Sequence, residues 1–237
     1  MKIGLFTDCH YNKAELIGHK RHSADSYNKV KASMDAFKEN NVDICFCLGD
    51  ITDHVNGDTK NDIIENYKYM LSLINSYGIP FYLVPGNHDY LMTTGKEIEE
   101  LLGKKLPPCV VKTEKYNIIL LDANYRSDME RFDVAGVEWT DSNLPPYQVE
   151  FLKKELACSS KECIVMVHEN LDPNIHNSHI IKNADEIRKI IKESGKVKMV
   201  LQGHFHDGAY CVIDGIPYIT LPAMCEHTEG YYKIIEI

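Results

Sequence analysis

The chain has 237 residues, enough to bury one substantial core, and carries no linker-like run, internal repeat or low-complexity tract, so a single domain over 1–237 is expected. Its formal net charge of -9 argues against a general nucleic-acid binder, which carries a basic stripe, yet leaves an anionic substrate open because bound divalent cations dominate the local field of a site. The 8 cysteines are scattered with no CxxC pair, and no stretch approaches the roughly 18 apolar residues of a membrane span, which points to free thiols in a soluble, cytoplasmic protein.

In chain order, Ile3–Phe6 reads as a strand and Ser23–Asn40 as a helix, with Val30, Met34 and Phe37 at helical spacing. Asp43–Leu48 is a second strand. Asn61–Tyr77 is a second helix, with Ile64, Tyr67, Leu71 and Ile74 on one face and Gly78 as its stop. Further strands lie at Pro80–Val84, Cys109–Lys112 and Tyr116–Leu121. A long polar excursion then runs from Asp122 to Pro146, and with Tyr125, Arg126 and Trp139 it suits either a substrate-facing lid or a surface insertion. Tyr147–Ala157 is helical, Cys163–Val167 a strand, and Ala184–Glu193 a helix ended by Gly195. Val197–Leu201, Tyr210–Ile213, Pro217–Leu221 and Tyr231–Ile235 complete the strands. Helices between the first three strands predict parallel connections, and short turns between the last three predict an antiparallel meander.

The informative feature is the kind of residue that ends each apolar run. IGLF leads into Asp8 and His10, and ICFCL into Gly49, Asp50 and Asp53. PFYLV leads into Gly86, Asn87, His88 and Asp89; CIVMV leads into His168; KMVL leads into Gly203, His204 and His206. Sites of open α/β sheets lie beyond the carboxyl ends of the strands, so these residues are expected to converge. Glycine just before the polar residue lets a ligand or another chain segment approach closely. Singly, each block has a structural alternative: Asp50 and Asp53 suit a turn or a helix cap, and a lone His168 suits a hydrogen-bonded strand end. Together and in order they point to a metal site. His19, His22, His54, His176, His179 and His227 end no apolar run and read as surface or loop residues. The basic loop Tyr11–His22, with Lys13, Lys20 and Arg21, suits a solvated surface or a phosphate contact.

The ordered set Asp8-x-His10, Gly49-Asp50-x-x-Asp53, Gly86-Asn87-His88-Asp89, His168 and Gly203-His204-x-His206 resembles the calcineurin-like metallophosphoesterase superfamily and spans nearly the whole chain. That resemblance implies an α/β fold, a four-layer αββα sandwich with two mixed sheets flanked by helices. It implies one metal held by Asp8, His10, Asp50 and His206, and another held by Asp50, Asn87, His168 and His204, with Asp50 bridging. His88 is then the non-ligand histidine facing the substrate, Asp53 and Asp89 are carboxylates behind the ligands, and Asp89 is expected to orient His88. Imidazole-rich mixed ligation suits Mn, Fe or Zn better than an all-oxygen Mg or Ca site. Two such cations about 3.5–4 Å apart share a hydroxide, lower its pKa and bind phosphoryl oxygens, so a metal-bridging hydroxide is the expected nucleophile.

Asp53 stands where purple acid phosphatases carry Tyr, and His54 where Ser/Thr protein phosphatases carry Arg. Gly203-His204-Phe205-His206-Asp207-Gly208 with Tyr210, Leu144-Pro145-Pro146-Tyr147-Gln148, and Arg21-His22-Ser23 are similar to the manganese-dependent ADP-ribose/CDP-alcohol diphosphatase branch. His10 and Asp89 depart from it, since animal members carry Gln and Glu there. The expectation is a hydrolase of small phosphodiesters or nucleoside diphosphate derivatives, with a small, nucleotide-like phosphorylated substrate. A broad-specificity phosphomonoesterase is the alternative, followed by a nuclease or a metal-free binding scaffold.

Overall fold

A strand buried on both faces reads as an unbroken apolar run, and its alternating side chains then feed two different cores. The computed structural model, which describes residues 1–237, shows this in β1 (Lys2–Phe6) and β2 (Ile44–Cys47). Ile3, Leu5, Ile44 and Phe46 point into a core between two sheets, while Phe6, Cys45 and Cys47 point into a core under helices. β3 (Phe81–Leu83) pairs parallel with β2, and β2 with β1. The helices between them are α1 (Ser26–Glu39), which inserts Val30, Met34 and Phe37 into the outer core, and α2 (Lys60–Ser76), which inserts Tyr67, Leu71 and Ile74. A Cβ at Gly4 would sit 2.7 Å from the Phe37 ring, so glycine there is what lets α1 seat against β1.

The second sheet has the order β4 (Cys109–Lys112), β5 (Tyr116–Leu120), β6 (Glu162–Met166), β7 (Val197–Gln202), β9 (Ile216–Thr220), β8 (Ala209–Ile213). Its inner strands are parallel and its edges antiparallel. Ile118, Leu120, Ile164 and Met166 meet the first sheet in the central core. Ile119, Val165 and Val200 pack outward on α5 (Pro146–Cys158) and α6 (Ala184–Ser194). Three buried apolar layers therefore alternate with helix, sheet, sheet and helix, the four-layer αββα sandwich expected from the motifs.

Two features differ from the sequence reading. The last strand, β10 (Lys233–Glu236), does not continue a meander after β8 and β9. It crosses to the other sheet and pairs antiparallel with β1, Lys2 opposite Glu236, capping an edge that would otherwise present unpaired backbone groups. Two helices were also not foreseen. α3 (Gly95–Leu102) starts at a reciprocal capping box between Thr94 and Glu97 and ends on left-handed Gly103, and the short α4 (Phe132–Ala135) folds part of the 122–146 excursion onto the first core. All 8 cysteines are free thiols, and no helix is long and apolar enough to cross a membrane.

Candidate metal centre

The five strand-end loops come together at one end of the two sheets. Asp8 and Asp50 are fully buried side by side, with His10 and His168 wedged between them. His10 Nε2 lies 3.7 Å from Asp8 Oδ1 and 3.5 Å from Asp50 Oδ2. His168 Nε2 lies 4.0 Å and 3.4 Å from the same two oxygens. His206 Nε2 is 3.4 Å from Asp8 Oδ1 and 3.2 Å from His10 Nε2. His204 completes a group with Asp50 and His168 whose ligand atoms lie within 4.8 Å of one another.

The backbone is strained to achieve this. Asp8, His10, Asp50 and His204 all have left-handed φ, at 51°, 45°, 55° and 67°. Each such residue costs roughly 1–3 kcal/mol, and four among the metal-ligand candidates mark a functional cluster. The motif glycines have a matching steric cause. A Cβ at Gly86 would collide with the Asp50 carboxylate and His168 Nε2, and one at Gly203 would collide with Thr7 and Asp8.

Hydrogen bonds on the far side of each ring aim the inner nitrogens. His168 Nδ1 donates to the Leu48 carbonyl at 2.5 Å, and His206 Nδ1 donates to Glu226 Oε1 at 2.6 Å. His10 Nδ1 faces Asp53 Oδ2 at 3.4 Å. In all three rings the outer nitrogen is engaged and Nε2 is left to the centre, the arrangement that orients metal-binding imidazoles. Asp8 Oδ2 accepts from Thr7 Oγ1 at 2.6 Å and from the His204 backbone N–H at 3.1 Å, which leaves Oδ1 to the centre as well. Asp8 Oδ1, Asn87 Oδ1, His168 Nε2 and His204 Nε2 are buried polar atoms with no hydrogen-bond partner. Such atoms are costly unless something satisfies them, and a hard-to-borderline cation among mixed oxygen and imidazole donors does so. The donor set fits two divalent metals.

Electrostatics agree with that reading. Burial opposes ionisation of Asp8 and Asp50, but the charge of His168 and the neighbouring histidines outweigh it and hold both carboxyls below their ordinary value. Burial likewise opposes protonation of His206, yet its bonds to Asp8 and Glu226 push it up to about 10. For His168, too, burial is outweighed, and Asp50 and Asp8 raise it. Glu169, the next residue, is buried, and burial raises its carboxyl to about 8. Protons on His168 and His206 must therefore leave when these nitrogens ligate. Metal loading at neutral pH should release protons, and apparent Mn affinity should climb between about pH 6 and 9. Calorimetry in two buffers of different ionisation enthalpy measures this, and a pH-independent affinity would show that both imidazoles are already neutral before the metal binds.

His88 and Asp89 are placed differently from each other. The His88 backbone N–H donates to Asp50 Oδ1 at 2.8 Å, and its ring lines the pocket. Asp89 does not orient that ring, contrary to expectation. It is wholly buried and accepts from the backbone of Gly86, Asp50 and Ile51 and from the Tyr67 hydroxyl. It clamps two ligand loops together. The carboxylate on His88 Nδ1 is Asp53, at 2.8 Å, and Asp53 is itself held by Arg21 Nη1 at 2.5 Å. Arg21 and Lys20 bring the basic loop to the pocket wall.

The pocket above these residues measures about 470 Å³. Trp139, from the 122–146 excursion, lines it, as does His179, which the sequence assigned to the surface. Glu226 was missed altogether, and so was Cys225, whose thiol lies within 4.8 Å of the His10 and His206 ligand atoms. Both lie beyond β9 in a loop with no motif. Their only local signal is position, shortly after a partly buried strand. The Leu144–Gln148 motif is structural here: Gln148 both accepts from and donates to the Asp122 backbone at 2.9 Å, securing the end of β5.

A family model described as calcineurin-like phosphoesterase matches residues 1–208. A probable cyclic nucleotide phosphodiesterase of Psychrobacter arcticus is 23% identical over 184 residues, 72% of this chain and 62% of that protein. The chain thus spans about three fifths of that relative's length. The 3',5'-cyclic adenosine monophosphate phosphodiesterase of Escherichia coli K12 is 22% identical over 207 residues, 85% of this chain and 68% of that protein. Among solved structures, a dimetal phosphatase from Danio rerio superposes with a TM-score of 0.80 at 15% identity, covering 98% of this chain and 91% of the other.

Proposed function

The chain belongs to the calcineurin-like phosphoesterase family, and from that premise we propose that it is a binuclear metal-dependent hydrolase of small phosphodiesters or nucleoside diphosphate derivatives. One observation carries the reading. Oxygen and imidazole atoms of Asp8, His10, Asp50, His168, His204 and His206 cluster together, Asn87 lines the same pocket, and several of these atoms have no other partner. Asp8, His10, Asp50 and His206 would hold one metal, and Asp50, Asn87, His168 and His204 the other. Mn, Fe and Zn are the metals such donors favour. When bound, a metal pair supplies Lewis-acid polarisation of the phosphoryl oxygens and a nucleophile of lowered pKa.

The protein's own groups do the rest. Asp53, fixed by Arg21, holds His88 through Nδ1, so Nε2 is the ring nitrogen presented to substrate. A group there stabilises charge on the phosphoryl oxygens or delivers a proton to the leaving oxygen. Asp89 keeps the Asp50 and Gly86 loops in register. Lys20 lines one wall of the pocket and can contact a phosphate there, while Arg21 is engaged by Asp53.

The relatives named for cyclic nucleotides favour a diester over a monoester, and the similarity of the Gly203–Tyr210 segment favours nucleoside diphosphates. A Mn-supplemented panel of ADP-ribose, CDP-choline, cyclic AMP and a simple phosphomonoester separates these. Turnover is expected for at least one of the first three at a kcat/KM above that for the monoester. Preference for the monoester would replace this reading with a broad phosphatase, and no turnover with Mn, Fe or Zn would replace it with a binding scaffold.

A further inference from the structure

The pocket is almost wholly polar, and its only apolar lining side chains, Trp139 and Phe205, lie on one side of it. There they join two imidazoles. His179 stands 5.3 Å from Trp139 and 5.2 Å from Phe205 between ring centroids, and His204 lies 5.8 Å from Trp139. Arg21 is on the other flank, with Nη1 3.3 Å from His10 Nδ1; Glu226 Oε1 lies 2.6 Å from His206 Nδ1, and Lys20 lines the same pocket. The pocket is therefore two-sided, with charged side chains of both signs, Lys20, Arg21 and Glu226, toward His10 and His206 and aromatic rings beside His204.

The aromatic side is a built surface. Asp141 ties the Trp139 segment to the Glu138 carbonyl and to the Ser127 backbone N–H, at 2.8 Å and 3.0 Å. The Ser142 carbonyl accepts from Lys182 at 2.9 Å, and the His179 carbonyl accepts from Asn170, two residues past His168, at 3.0 Å. Trp139 nonetheless keeps 40% of its surface exposed, inside the pocket mouth. A large, partly exposed aromatic ring lining a phosphate-binding pocket is what sequence-tolerant base stacking uses.

We propose that Trp139, His179 and Phe205 form a nucleobase-binding subsite, which places the nucleoside of the substrate on the His204 side and the other substituent of phosphorus toward Lys20 and Arg21. This rests on the phosphoesterase reading and adds a specificity determinant to it. Trp139 is the chain's single tryptophan, so its fluorescence reports this subsite alone. In the Mn-loaded protein, AMP should quench that emission saturably, while ribose 5-phosphate should compete with AMP without quenching. Trp139→Ala should weaken AMP binding by about tenfold or more, Trp139→Phe by no more than about threefold, and neither should change binding of ribose 5-phosphate or metal content. Equal affinity of the wild type for AMP and ribose 5-phosphate would overturn the proposal, and so would an AMP preference that survives Trp139→Ala. The binding readout is independent of turnover. A chain that hydrolyses phosphoesters without base preference loses the subsite and keeps the activity, while one that prefers AMP but turns nothing over loses the activity and keeps the subsite.

Discussion

Asp50→Asn should strip the centre of at least one metal and lower activity by well over about a hundredfold. Removal of a group that merely supports a metal ligand costs about 10–100-fold, and Asp50 is assigned as a ligand to both cations. The substitution is a clean one. Asn tolerates the left-handed φ of 55° that this position adopts, so the loop need not move. The backbone N–H still reaches Asp89, and the backbone carbonyl still accepts from His10. What changes is the charge between two imidazoles 3.5 Å and 3.4 Å away, together with the acceptor that receives the His88 backbone N–H. Metal analysis of the purified variant, with circular dichroism to confirm the fold, checks the outcome. Two bound metals with full activity would dismantle the shared-ligand assignment.

Much of this site was legible because β1, β2, β3, β6 and β7 are buried on both faces, so their ends are sharp in the sequence and the first polar residue after each is conspicuous. The helix faces were legible for the same reason: Val30, Met34 and Phe37 occupy the outer core where their spacing placed them. Partner choice was not legible. β10 is a four-residue segment, Lys233–Glu236, with only two apolar side chains, and its pairing with β1 rests on contacts more than two hundred residues apart in sequence. Asp53, not Asp89, holds His88 for a geometric reason. His88 and Asp89 are neighbours in a 3-10 turn, where successive side chains point about 120° apart, so the adjacent carboxylate is the one that cannot face the ring. Trp139 and His179 come from loops that no apolar run leads into, and Glu226 stands several residues beyond the end of β9. Only the folded chain brings these three to the site.

The hold of Asp53 on the ring sets the expectation for His88. His88→Ala should leave both metals bound and lower kcat by about 10²–10⁴-fold on an ester with an alkyl leaving group, the range expected for loss of a general acid or base. Burial and the neighbouring His10 ring lower the His88 pKa, while Asp50 and Asp53 act the other way. A phosphoryl anion arriving at Nε2 adds a further negative charge and favours the protonated ring. If Nε2 passes a proton to the departing oxygen, an aryl ester whose leaving group needs no proton should lose far less than the alkyl ester. Equal losses on the two would assign His88 to charge stabilisation of the phosphoryl group instead. Asp53→Asn should lower activity by about 10–100-fold, because it loosens His88 at Nδ1, the outer nitrogen of His10 and Arg21 in the same step. Asp89→Asn, by contrast, should act on stability and metal content, since Asp89 touches the loops and not the ring. If Asp89→Asn matched His88→Ala in leaving-group dependence with metals retained, the orienting role would return to Asp89.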